Sequence, residues 1–224
     1  MRILFCLVLS VMGARAVTAE PLRVGVVIFE GFLASEVVAP VEVFAKAAGE
    51  GSPRFDVFTV GASGKPVRSH EGLLLQPRET FASAPSLDIL VVPSSMDLEG
   101  LLADPALVGF IKERGSRARY LASHCAGAFL LGKAGFLDGK RATTYIGGAE
   151  RLQKMFPKSR VEGDRHVVLD GNLVTTIGGA VSYEGSLALL ERIAGPTTAD
   201  RVATALYYFR WKEKKLAAAR AGAR

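Results

Sequence analysis

Three short runs of this chain are almost wholly apolar and rich in β-branched residues: "RVGVVIF" (Arg23 to Phe29), "LDILVVP" (ending at Pro93) and "ARYLASH" (ending at His124). Such runs lack the polar alternation of a half-exposed strand and fit strands covered on both faces. Segments with helical spacing stand between them, and that alternation predicts an α/β domain with a largely parallel sheet. The helical pattern covers about Ser35 to Ala48, Pro105 to Arg117, Ala180 to Ile193 and Thr197 to Lys215. "RFDVFTVG" and "RATTY" read as further strands. "KPVRSHEGLLLQP" reads as a hairpin around Glu71-Gly72, and "RHVVLDGNLVTTIGG" as one turning at Asp170-Gly171-Asn172. With 224 residues, 49% of them hydrophobic, and no linker or repeat, one domain with a sizeable core is expected.

The first residues stand apart from that domain. Arg2 precedes an apolar run, Ile3 to Met12, and Val17-Thr18-Ala19 places small residues ahead of a cleavage point. The run is too short to span a bilayer. Residues 1–19 are therefore expected to be a secretory signal peptide, with the mature chain starting near Glu20 in the periplasm or outside the cell. No stable membrane insertion is expected after cleavage, and Cys6 would leave with the leader. Without Arg2 and Arg15 the formal charge falls from +6 to +4. Much of the excess lies in "FRWKEKKLAAARAGAR", so residues 211–224 read as a solvated basic tail. An exported chain without a recognised binding motif argues against nucleic acid as a partner.

The mature chain then keeps one thiol, Cys125, in the stretch "YLASHCAGAFLLG" (Tyr120 to Gly132). In open α/β sheets, ligand sites gather at the carboxyl ends of the strands. "FEGFLASE", "PSSMD" and "SHCAG" are three loops at such ends. A buried strand that stops at a cysteine and turns at once into Ala126-Gly127-Ala128 can hold a nucleophile above the sheet. Cys125 would sit at the amino end of a helix running to Lys133, where the dipole favours a thiolate. The competing assignment is an inert buried thiol; the cysteine's place at the strand's end, not its middle, favours the functional one.

"VGVVIFEGFLASEVVAPVEVF", "DILVVPSS" and "SHCAGAFLLGKAGFLDGKRATT" together resemble the ThiJ/PfpI superfamily, of the class I glutamine amidotransferase-like fold. The similarity spans about Arg23 to Tyr208 and is strongest toward the branch of isonitrile hydratases and AraC-type regulator sensor domains. It implies residues 20–210 as a single-domain, flavodoxin-like, three-layer α/β/α sandwich with a nucleophile elbow. It implies Cys125 as the reactive cysteine and Glu36, four residues before Pro40, as the acid bonded to its sulfur. On the residues alone, Glu36 would be an ordinary acid in the first turn of a helix. A protonated Glu36 donating to sulfur would depress the thiol pKa.

This chain departs from the family pattern in two places. Ser94-Ser95 stands where many relatives have Gly-Gly supplying oxyanion donors, so the backbone amides of Ser94, Ser95 and Ala126 are the candidates here. Tyr145 replaces the histidine that often follows "ATT", which puts a Cys-His dyad in doubt. His124 and Tyr145 are candidate pocket residues, His124 being expected to leave the opposite face of the turn. His70 and His166 read as surface residues. No spacing suggests a metal site, and no cofactor is expected.

The reading is an exported cysteine-dependent enzyme acting on a small electrophile, by isonitrile-type hydration or by hydrolase or lyase chemistry on a carbonyl compound. The alternative is a non-catalytic ligand-binding or redox-sensing module. With no helix-turn-helix after residue 210, a complete AraC-type regulator is not expected. The resemblance also implies a homodimer.

Overall fold

The computed structural model describes residues 20–49, 53–208 and 213. The leader with Cys6 and the basic tail, Glu213 apart, lie outside the described residues. The chain opens with β1 (Leu22–Val27), α1 (Ala34–Ala45) and β2 (Phe55–Gly61). A small hairpin, β3 (Val67–Arg68) and β4 (Leu74–Leu75), precedes β5 (Glu79–Thr80) and β6 (Ile89–Val92). Then come α2 (Leu98–Ala103), α3 (Pro105–Gly115), β7 (Tyr120–His124) and α4 (Gly127–Lys133). The remainder is β8 (Arg141–Ala142), α5 (Ala149–Met155), β9 (Arg160–Val161), the hairpin β10 (Val167–Asp170) and β11 (Leu173–Thr176), and α6 (Val181–Ala205).

The main sheet has seven strands in the order β10-β11-β7-β6-β1-β2-β5. Every pairing in it is parallel except β10 on β11. Strand β1 shows why its sequence lacks alternation. Val24 and Val26 face the core beneath α1 and α6, Val27 faces the core beneath the other helices, and all three are fully buried. The result is the expected mostly parallel sheet with helices on both faces, in the flavodoxin-like arrangement. On the second face, Phe129, Leu130 and Leu131 of α4 are inaccessible to solvent. Each such side chain contributes about 1.5–3 kcal/mol through burial, which anchors the helix that follows Cys125.

One sequence expectation changes and another holds. "RATTY" contributes only Arg141 and Ala142, which pair with β9 outside the main sheet. The Thr143 N–H goes to Thr175 Oγ1 at 2.8 Å and its own hydroxyl to the Arg165 carbonyl at 2.9 Å, so side-chain bonds replace the ladder. The two predicted C-terminal helices are both present within the described residues: α6 is two helical stretches that meet at Gly195, whose φ of 81° and ψ of 166° are not helical, and Pro196, which has no N–H to donate, follows. The short elements α2, α5 and β9 carry too little periodicity to be read from sequence.

Candidate active site

Strands β1, β6 and β7 are neighbours, and their carboxyl ends deliver Glu36, Ser94 and Cys125 to one place. Cys125 has φ 53°, a left-handed conformation rare for a residue with a Cβ. Holding it there costs on the order of 1–3 kcal/mol, so the surroundings must enforce it. Its N–H donates to the Thr176 carbonyl at 2.9 Å, and the Thr144 hydroxyl donates to its carbonyl at 2.9 Å. Gly127 explains the small residues after the cysteine. A Cβ there would collide with the Val92 and Pro93 carbonyl oxygens, so only glycine lets the elbow press against the end of β6.

Glu36, in the first turn of α1, is completely buried. Its Oε2 accepts the Ser94 N–H and the Ser94 hydroxyl, both at 2.8 Å, and its Oε1 accepts the Gly179 N–H at 3.4 Å. Gly178 closes the other side. It has φ 86°, and a Cβ would run into Cys125 Cβ and Glu36 Oε1. The Gly178-Gly179 pair after β11 was missed as part of the site; glycines directly after a strand's end were the available signal.

Burial raises the Glu36 pKa, with the Ser94 and Gly179 donors opposing it. Burial also pushes the Cys125 thiol up to about 11, and the Glu36 charge adds to the rise, while Ser94 and the Ala126 N–H pull the other way. The expected depressed thiol is therefore corrected. Helix α4 has seven residues and no side-chain cap, and its dipole is outweighed by the loss of water around sulfur beside a carboxylate. The contact between the two groups lowers the acid and raises the thiol, as expected of a thiol that donates to a carboxylate.

The Ser94 N–H, a candidate oxyanion donor, is spent on Glu36. The serine that replaces glycine adds a hydroxyl bond to that carboxylate, and neither Ser94 nor Ser95 needs a positive φ. The Ser95 hydroxyl accepts the Asp97 N–H at 3.2 Å. The Ala126 N–H is directed at the Cys125 sulfur.

A cleft of about 400 Å³ opens over Cys125, within the range of small-molecule sites. Ser94, Ser95 and Ala126 share its floor, Leu33, Met96 and Leu98 form apolar walls, and Tyr145 and Arg151 complete the lining. Tyr145 is thus in the pocket, its ring stacked on Phe129 with centroids 6.1 Å apart. His124 is not, which corrects its place among the pocket candidates. It is fully buried on the far side of β7, with Nδ1 2.9 Å from Thr176 Oγ1, and burial drives its pKa down to about 3. His70 and His166 are exposed, so no histidine lines the cleft. Among the described residues no group of three or more His, Cys, Asp or Glu could hold a metal ion. Arg151 had no signal in the sequence, because α5 was not foreseen.

A parallel α/β sandwich with a strained cysteine above its sheet and a buried glutamate against the sulfur defines a cysteine-elbow protein. The model of the DJ-1/PfpI family matches residues 22–192, and the chain belongs to that family. It is 33% identical to the isonitrile hydratase of Pseudomonas putida over 187 residues, covering 84% of this chain and 78% of that protein. It is 22% identical to the HTH-type transcriptional regulator GbdR of Pseudomonas aeruginosa, covering 88% of this chain and 53% of the regulator. Among solved structures, a ThiJ/PfpI family protein from Pseudomonas syringae superposes with a TM-score of 0.77 at 25% identity, covering 85% of this chain and 76% of that one.

Proposed function

We propose that the protein is a cysteine-dependent enzyme that hydrates a small isonitrile or acts on a comparably small carbonyl electrophile. The observation that carries this reading is Cys125 held at φ 53° with Glu36 buried against it beneath an open cleft. Strain at a nucleophile persists only where the surrounding structure enforces it. The likeness to an isonitrile hydratase supports the first substrate class.

For an isonitrile R–N≡C, Glu36 takes the thiol proton as sulfur bonds to the terminal carbon. The proton passes to that carbon and leaves the thioimidate R–N=CH–S–Cys125. Water then adds to the same carbon while Glu36 relays a proton to nitrogen. The C–S bond breaks, the remaining hydroxyl proton returns to sulfur, and the formamide R–NH–CHO departs. The net change is addition of one water, with no redox step. The Ala126 N–H stabilises the sulfur while it is anionic.

A second reading, a non-catalytic ligand-binding or redox-sensing module, is favoured by the raised thiol pKa and by the regulator relative. Assay of the purified protein against alkyl isonitriles and 2-oxoaldehydes, with Cys125→Ala as blank, separates the two. Cysteine-dependent formamide production is expected. Ligand binding with no turnover of either class would favour the module. The proposal includes export, checked by sequencing for a mature N-terminus near Glu20, and a homodimer, checked by light scattering at micromolar concentration. An intact Met1 in cytoplasmic protein, or a monomer, would remove the respective part.

A further inference from the structure

Apart from Arg151, the side chains lining the cleft are neutral. Arg151 is held there, not swinging free. Its guanidinium carbon lies 5.4 Å from the centroid of Phe129, which is completely buried and itself carries the stacked Tyr145 ring. On its outer side it pairs with Glu99 of α2 through a single guanidinium nitrogen, Nη2. The Glu99 side chain is 75% exposed, and the arginine 44%. An exposed, single-nitrogen ion pair is a weak contact that solvent screens. A guanidinium presents five donors in a planar fork and binds a carboxylate best through two of them.

We infer that this cleft takes a small substrate bearing a carboxylate, with Arg151 as the residue that recognises it and Glu99 as an internal stand-in that the substrate displaces. The inference rests on the enzymatic reading above for the electrophilic end of the substrate, not for the anionic end. Orientation follows from charge. The buried Glu36 carboxylate beside Cys125 repels a second carboxylate, and Arg151 on the lining attracts it, so the neutral electrophilic carbon is the part left to face sulfur. Leu33, Met96 and Leu98 suit the short hydrocarbon between the two ends. An isonitrile such as isocyanoacetate has this pattern, and hydration would turn it into N-formylglycine.

The test compares isocyanoacetate with its neutral methyl ester. In the wild type, kcat/KM is expected to favour the carboxylate by about tenfold or more, the scale of one charge-assisted bidentate contact. Arg151→Met is expected to cut that ratio by about tenfold, through KM more than kcat, and Arg151→Lys to restore part of it. Glu99→Gln, which removes the competing negative charge, is expected to lower KM for the carboxylate severalfold, which a purely structural role for the pair would not do. A wild-type ratio near one, or a ratio unchanged in Arg151→Met, overturns the inference and leaves the hydratase reading standing. Calorimetry on Cys125→Ala with N-formylglycine and its neutral amide needs no turnover. Arg151-dependent binding of the acid alone supports the anion site even if no isonitrile is hydrated. Equal binding of acid and amide overturns it.

Discussion

At the end of β7 two consecutive residues meet opposite fates. His124 and Cys125 both carry chemistry that a catalyst could use, and both are largely shielded from water. His124 leaves the extended strand on the α6 side, where a Cβ built on Gly185 would lie 3.7 Å from its Cε1. There it is held neutral, and its Nε2 is buried without a hydrogen-bond partner. Cys125 is wrenched the other way by its left-handed backbone, into the cleft and against Glu36. The difference shows that a reactive residue type becomes a site through the groups the fold places around it. Burial alone does not decide it, since burial lowers the imidazole's pKa and raises the thiol's, and of the two only the thiol has the Glu36 carboxylate beside it.

The largest test of this contrast is turnover. Glu36→Gln is expected to lower kcat by on the order of 10²–10⁴-fold, the usual worth of a positioned base. His124→Gln is expected to change kcat by less than about threefold while costing stability. Comparable losses in both would break the distinction. Gly178 offers the next effect. Gly178→Ala must either leave its positive φ or push aside Cys125 Cβ and Glu36 Oε1. A loss of several kcal/mol in chemical denaturation is expected, on the scale of strain plus overpacking, along with activity, whereas unchanged stability would show that the wall is softer than its geometry.

Acid sensitivity sharpens the His124 side. A histidine whose folded pKa lies near 3 cannot accept the proton that the unfolded chain accepts near 6.5. Its contribution is present above pH 6.5 and is lost as pH falls through that window, by about 1.4 kcal/mol per unit, or about 2 kcal/mol at pH 5. Denaturant titrations at pH 7 and pH 5 should show this loss in the wild type and not in His124→Gln. A pH-independent difference would place the charge cost elsewhere. The smallest effect concerns the thiol itself. Alkylation of Cys125 by iodoacetamide should be slow at neutral pH and rise toward pH 11, and Glu36→Gln, which removes the neighbouring charge, should shift that rise to lower pH. A wild-type midpoint below the ordinary value of about 8.5 would restore the thiolate expected from the elbow motif.

Much of the architecture was readable because buried parallel strands announce themselves. "RVGVVIF", "LDILVVP" and "ARYLASH" have no solvent face to pattern, and β1, β6 and β7 lie side by side in the sheet. Cys125 was readable for a related reason: small residues after a buried strand signal a tight turn. Glu36 was readable only through the family motif, since in the first turn of a helix an acid is unremarkable. Arg151, Gly178 and Gly179 were not placed at all. They reach the site from elements 26 to 54 positions beyond Cys125 in the chain, and local periodicity says nothing about such long-range meetings.

The sequence by itself determined the layered α/β class, the strand ends where a site must gather, and the cysteine at one of them. Those features follow from hydrophobic period and turn sterics, which act over a few neighbouring residues. Only the tertiary structure decided that Ser94 serves Glu36 and not an oxyanion, and that burial beside a carboxylate raises the thiol pKa where the turn motif pointed to a lowered one. It also brought Arg151 to the cleft. Each of these depends on desolvation, charge and hydrogen bonding between residues far apart in the chain, and those forces have no value until folding fixes the distances.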